Sequence, residues 1–333
     1  MSIMKCRLYS IDFYPGGQET HSFGQRLALV FLAWLGSAAA AADCDPAEKM
    51  TGDGPFAVEF FNETLNGTIF YGWLPVSNAP APVVAFMHGS TGQWGFYSEN
   101  LRIYASHGLA VVFPFIESPE GDEHWWVTNT DGAYLKKAVA FALEGPFRAR
   151  VDAARVAVAG HSMGATCAIA AGAAAGPGAY RLVVAQHPGI CGPFGPPPWP
   201  ATWMPSDMRS LTSKCPLLMT TATNDGAFLP APHTAPHEHG CYEKGANGTA
   251  AFVQFSEAAC ADDGAREPLV DDGGHDCPMK IGAPESPWVL VALKLYLLLD
   301  GDAASTCHEL LYGNATASLR RSPDADLVDI RGA

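Results

Sequence analysis

The sequence predicts an α/β fold, a mostly parallel central sheet with helices on both faces, and three observations predict it. The runs VVAFM (83–87), LAVVF (109–113), RVAVA (155–159), LVVAQ (182–186) and PLLMTTA (216–222) are apolar nearly throughout, as strands covered on both faces must be. Stretches with helical spacing of apolar residues separate them, which is the alternation that produces parallel crossovers. A Gly-X-Ser-X-Gly pentapeptide, Gly160 to Gly164, falls at the junction between one such strand and the helix after it.

The elements follow in order. AVEFF (57–61) and GTIFYGWLP (67–75) alternate in the manner of an antiparallel opening pair, and Pro80 turns the chain into VVAFM. A helix is expected from Tyr97 to Ser106, stopped by Gly108, and further helices over 133–143, 165–175 and 288–299. These make one domain over residues 57–312, with a segment 43–56 before it and a tail 313–333 after it. Two stretches stand out by composition: a Pro/Trp-rich insert, 188–214, read as a lid or as a loop packed on the body, and a polar insert, 230–272, read as irregular.

Of 333 residues, 48% are hydrophobic and 16% charged, enough apolar material for a large core and too little charge for a disordered chain. Twenty basic and thirty-four acidic residues give a net charge of −14, which disfavours nucleic acid and anionic membrane surfaces as partners. Near the start, Arg26 precedes an uncharged run from Leu27 to Ala42 that ends in small residues, the pattern of a secretory signal cleaved before Asp43. The run is shorter than the roughly 18 apolar residues of a spanning helix, so no stable membrane insertion is expected once residues 1–42 are removed. Eight cysteines remain after that cut, an even number suited to disulfides, and four Asn-X-Ser/Thr sequons begin at Asn62, Asn66, Asn247 and Asn314. Together they point to a secreted protein. Two disulfides are expected, Cys241 with Cys260 and Cys191 with Cys215, and Cys167 is expected as a buried thiol.

The chemistry centres on Ser162. In VAVAGHSMGA (156–165) the serine sits on a sharp turn, and a side chain at Gly160 or Gly164 would collide with the neighbouring strand or helix. The hydroxyl is then raised above the sheet, at a helix N-terminus that favours developing negative charge. A tetrahedral oxyanion needs two N–H donors: Met163 follows the nucleophile, and MHGSTG (87–92) offers Ser90 or, next, Thr91. His88 in that loop reads as packing. A hydroxyl nucleophile also needs a base oriented by a carboxylate, in the chain order Ser, acid, His. Asp225 lies in a loop at a strand's carboxyl end, and His275 lies in the Gly-rich DDGGHDCP before the closing helix. His233, His237 and His239 follow Asp225 too closely for this role and read as a solvated loop, with a small metal site as the alternative. No metal or other cofactor is expected. Phe194, Trp199 and Trp203 of the first insert are candidates to line an apolar substrate site.

With these motifs in view, ASHGLAVVFP (105–114), VDAARVAVAGHSMG (151–164), TATNDGAFLP (221–230), GGHDC (273–277) and ALKLYLLLDGD (292–302) resemble segments of the α/β-hydrolase superfamily. The same segments look like those of the cutinase-like polyester hydrolases, which lie close to the dienelactone-hydrolase branch. MHG and the FYS near Tyr97 lean toward chlorophyllase-like and platelet-activating-factor acetylhydrolase-like relatives. The resemblance implies the α/β-hydrolase fold, with Ser162, Asp225 and His275 as nucleophile, acid and base, Ser90 and Met163 at the oxyanion, and an acyl-enzyme on an apolar or polymeric ester. Where polyester hydrolases carry Gly-aromatic in the first oxyanion loop this chain has Gly89-Ser90, and where they carry a stacking Trp it has Gly189. A scaffold retained for binding without turnover, and acyl transfer to an alcohol, are the alternative readings. Oligomeric state is not legible in the sequence.

Overall fold

The computed structural model describes residues 44, 52–89, 94–115, 132–189, 191, 203–223, 225, 235–260, 274–280, 282–313, 319 and 322–332. The strands are β1 (Val58–Leu65), β2 (Thr68–Pro75), β3 (Ala81–Met87), β4 (Ala110–Phe115), β5 (Val151–His161), β6 (Leu182–Gln186), β7 (Leu217–Ala222), β8 (Ala250–Phe255) and β9 (Ala325–Arg331). The longer helices are α1 (Trp94–Ser106), α2 (Ala133–Glu144), α3 (Met163–Ala174), α4 (Pro205–Thr212), α5 (Ala235–Gly245), α6 (Ser286–Leu293) and α7 (Gly301–Tyr312). Among the described residues these strands form one sheet in the order β1-β2-β4-β3-β5-β6-β7-β8-β9.

The opening hairpin forms because Asn66 and Gly67 both take positive φ (50° and 78°), the turn that matches the twist of two antiparallel strands. Strand β2 then pairs antiparallel with β4, and from β4 across to β8 every pairing is parallel. Two apolar clusters cover the two faces. Successive residues of a strand point to opposite sides, so Val84 and Phe86 of β3 join one cluster, with α1, α6 and α7, while Val83, Ala85 and Met87 join the other, with α2, α3, α4 and α5. This is the mostly parallel sheet, covered on both faces, that the apolar runs predict.

Three expectations need correction. The insert 230–272 is not irregular throughout: it contributes α5 and the buried strand β8, because AAFVQF is apolar enough to extend the sheet beside β7. The tail contributes β9, which pairs antiparallel with β8 and covers what would otherwise be its open edge. The disulfides are Cys44–Cys307, Cys191–Cys241 and Cys260–Cys277, and both expected pairings are wrong. Sequence proximity misled them, since α5 brings Cys241 to Cys191 from fifty residues away while Cys215 stays a buried thiol beside β7. Cys167 is also a buried thiol, as expected. The Leu27–Ala42 run lies outside the described residues, among which no helix is long and apolar enough to cross a membrane.

Candidate active site

The parallel strands β3, β5, β6 and β7 end at the same side of the sheet, and the residues just past their ends meet there. Strand β5 hands over to α3 at Ser162, whose backbone sits at φ 58°, ψ −117°, a conformation that costs a non-glycine residue roughly 1–3 kcal/mol. The surroundings fix it. The Ser162 N–H donates to the Gln186 carbonyl (2.9 Å), and its own carbonyl accepts from Thr166 and Gly189 (3.1 and 3.2 Å). A Cβ on Gly160 would overlap the Gly164 carbonyl, and one on Gly164 would overlap the Met87 carbonyl, so both glycines are sterically required. Met163, first residue of α3, has one of the N–H groups that no intrahelical carbonyl can accept.

Ser162 Oγ lies 2.9 Å from His275 Nε2, and His275 Nδ1 donates to Asp225 Oδ1 at 2.7 Å. Asp225 is buried just past β7, and His275 is buried in the turn before a 3₁₀ segment, Cys277–Met279. The Cys260–Cys277 disulfide ties that turn to the helical turn Glu257–Cys260 after β8. The three side chains therefore form a continuous hydrogen-bonded relay, an arrangement in which an imidazole can take a proton from the serine at Nε2 while the carboxylate orients the ring through Nδ1.

Three groups that sequence reading did not single out complete the arrangement. His161 donates from Nε2 to the His275 carbonyl (2.7 Å), which leaves Nδ1 as the acceptor for the Tyr97 hydroxyl (2.8 Å). That hydroxyl accepts in turn from the Gly89 N–H (3.0 Å), so one chain of bonds clamps the loop after β3, the end of β5 and the turn bearing His275. Burial, the largest cause, holds His161 well below the ordinary histidine range, consistent with this single tautomer. The third group is His187, wholly buried just past β6 at φ 48°, which donates from Nδ1 to Asp225 Oδ2 (2.8 Å). Its Nε2 faces Glu285 Oε2 at 3.5 Å without a hydrogen bond, and Glu285 Oε2 accepts from Thr220 Oγ1 (2.7 Å). Thr221 Oγ1 donates to the buried Glu238 (2.7 Å) and lies 3.1 Å from Asp225 Oδ2. The signal for His161 and His187 was a titratable residue at the carboxyl end of a strand in a parallel sheet, where sites form. For Glu285 the sequence carries none.

Ser90 and Thr91 lie outside the described residues, as do Phe194 and Trp199. The Gly89 N–H before them is committed to Tyr97, and Gly89 itself is close to Ser162: a Cβ there would stand 3.0 Å from that of the serine. Trp203 is described, and it is 1% exposed in the core, its indole donating to the Gly189 carbonyl (2.5 Å). That corrects its placement as a substrate-lining residue, since an indole that fills the core and satisfies its N–H there presents no face to a ligand. His88 stacks on Phe113, meets Phe115 at a tilt and bonds the Gly89 carbonyl, and burial pulls it down to about 4, in keeping with a packing role. Of the histidine trio, His239 pairs with Asp329 on β9 (3.0 Å), while His233 and the side chain of His237 lie outside the described residues. His239, Glu243 and Asp329 could together reach a metal ion, but Arg331 stands against Asp329 at 3.1 Å. His187, Asp225 and His275 are also within reach of one another, with their donor atoms engaged in the relay just described.

The sheet order and the strand-to-helix turn at Ser162 are those of the α/β-hydrolase fold. The chlorophyllase family model matches residues 71–182, from within β2 to the first residue of β6, a span that includes the whole elbow. That family belongs to the α/β-hydrolase superfamily, and the match supports a hydrolase of ester bonds. It bears out the lean toward chlorophyllase-like relatives and lends no support to the cutinase-like resemblance. No curated protein matches the chain.

Proposed function

We propose that this chain is a serine carboxylic-ester hydrolase acting through an acyl-enzyme on Ser162. The observation that carries the reading is the relay from Ser162 Oγ through His275 to Asp225, at 2.9 and 2.7 Å, on a strained turn. In the proposed reaction His275 takes the Ser162 proton as Oγ attacks the ester carbonyl. The N–H of Met163 and that of Ser90, or else Thr91, hold the oxyanion, and His275 then protonates the departing alcohol. Water, deprotonated by the same imidazole, releases the acid. Asp225 stabilises the imidazolium formed in each half-reaction.

For the substrate, the cutinase or polyester-hydrolase reading rests on the sequence segments alone, whereas the family match favours a chlorophyllase-like ester. Gly189 in place of a stacking Trp, and the burial of Trp203, further weaken the reading of an aryl-polyester clamp. The proposal includes secretion: three disulfides support an oxidising compartment, and Asn62, Asn66 and Asn247 are exposed for glycosylation. Hydrolysis of p-nitrophenyl esters from acetate to palmitate, and of chlorophyll, tests the assignment, with Ser162→Ala as control. Turnover of at least one of these, lost in the variant, is expected. A preference for chlorophyll over the simple esters supports the chlorophyllase-like reading, and retained turnover in the variant overturns the mechanism.

A further inference from the structure

Building on that reading, we propose that His187 is a positioning residue of the site: an imidazolium clamped between Asp225 and Glu285, which pins the second oxygen of the orienting carboxylate and balances its charge. The geometry is unusually constrained. Asp225 spends Oδ1 on His275 and Oδ2 on His187, so the carboxylate is held at both oxygens by two imidazoles. The backbone on either side of His187 is bonded to the nucleophile itself, since Gln186 O accepts from Ser162 N and Gly189 N donates to Ser162 O. The His187 N–H donates to the Thr220 carbonyl (2.8 Å), which fixes the positive φ at a buried, non-glycine residue.

Each ring nitrogen of His187 faces a carboxylate, at 2.8 and 3.5 Å, and a neutral imidazole would turn a lone pair toward one of them. Burial opposes a charge at this position. Asp225 and Glu285 outweigh it and raise His187 to about 10. His161 at the end of β5 is held neutral, Cys277 is locked in its disulfide, and Glu238 of α5 is separated from the ring by Thr221 and Asp225. His275 and the adjacent, buried Asp276 belong to the same turn. With His187 charged, His275 meets the field of one net negative charge from Asp225, Glu285 and His187 together, not two. The centres of the two imidazole rings are 6.1 Å apart, near enough for that difference to be felt in the buried site.

Two conservative variants move the balance in opposite directions. His187→Asn keeps an N–H toward Asp225 and removes the positive charge; Glu285→Gln keeps the shape and removes a negative one. The acid limb of kcat/KM for p-nitrophenyl acetate should shift up by about one pH unit in the first and down by a smaller amount in the second. Packing alone would lower the melting temperature of both and leave the limb in place. Limbs that stay put, or that move the same way, overturn the proposal. In the unmutated protein, ¹⁵N NMR at pH 7.5 should find both ring nitrogens of His187 protonated, and a neutral tautomer overturns it equally. That spectrum needs neither turnover nor a folded variant, so an inactive wild-type protein would defeat the ester-hydrolase reading while the His187 assignment stood or fell by NMR.

Discussion

The two halves of the relay are held in different ways. Ser162 is placed by steric exclusion: one strand, one helix, and two glycines whose replacement would drive a Cβ into the backbone of Gly164 or Met87. Asp225 and His275 are placed by polar bonds and a disulfide on separate loops fifty residues apart, through His161, His187, Tyr97 and Cys260–Cys277. Steric exclusion and backbone bonds to Gln186 and Gly189 hold Ser162, whereas side-chain bonds and a disulfide hold Asp225 and His275.

The largest expected effect falls on the nucleophile. Ser162→Ala should cut kcat by up to about a million-fold with the circular-dichroism spectrum unchanged, since removal of a triad serine leaves binding and the oxyanion donors in place. Replacing Cys260 and Cys277 together by serine acts on the other half. Releasing a loop of this length should lower stability by about 3 kcal/mol in chemical denaturation, and kcat should fall while Ser162 keeps its place. Gly164→Ala should do the converse at roughly 1–3 kcal/mol, displacing the elbow and lowering activity with the His275 turn intact. If the two changes produce the same kinetic signature, the division between the halves is wrong.

A subtler effect is on stability with pH. His88 and His107 are pulled down to about 4 by burial and His161 lies well below 6.5, so the unfolded chain binds more protons than the native one as pH falls below 6.5. Their neutral burial is therefore a liability that grows from pH 6.5 down to about 4. His187 has the opposite sign: raised to about 10, it contributes stability that is fully present below 6.5 and is lost as pH rises through 10. Urea melts across pH 4 to 10 should show a maximum near neutrality whose alkaline fall is reduced in His187→Asn. An alkaline limb identical in the two proteins would remove His187 as its source.

The same division explains what the sequence made legible. The elbow is written in contiguous residues, because strand, serine and glycines must be neighbours to make the turn, and the sheet is written in uninterrupted apolar runs. Asp225 and His275 were reachable from chain order and loop position. Their partners were not, since nothing in AQHP or PESPW states that His187 and Glu285 meet across a parallel sheet. The disulfides failed for the same reason: α5 and β8, read as an irregular insert, carry Cys241 to Cys191 and leave Cys260 for Cys277. Trp203 reads as a substrate-lining aromatic because its insert is rich in proline and tryptophan, yet the Gly189 carbonyl gives its indole N–H a partner inside the core.

The central claim is that Ser162 is an activated nucleophile, and covalent trapping tests it directly. A fluorophosphonate reagent followed by intact-mass and peptide mass spectrometry should give one adduct, on the peptide containing Ser162, absent in Ser162→Ala and much slower to form in His275→Ala. A wild-type protein that stays unlabelled, or a label that persists in the serine variant, would contradict the account.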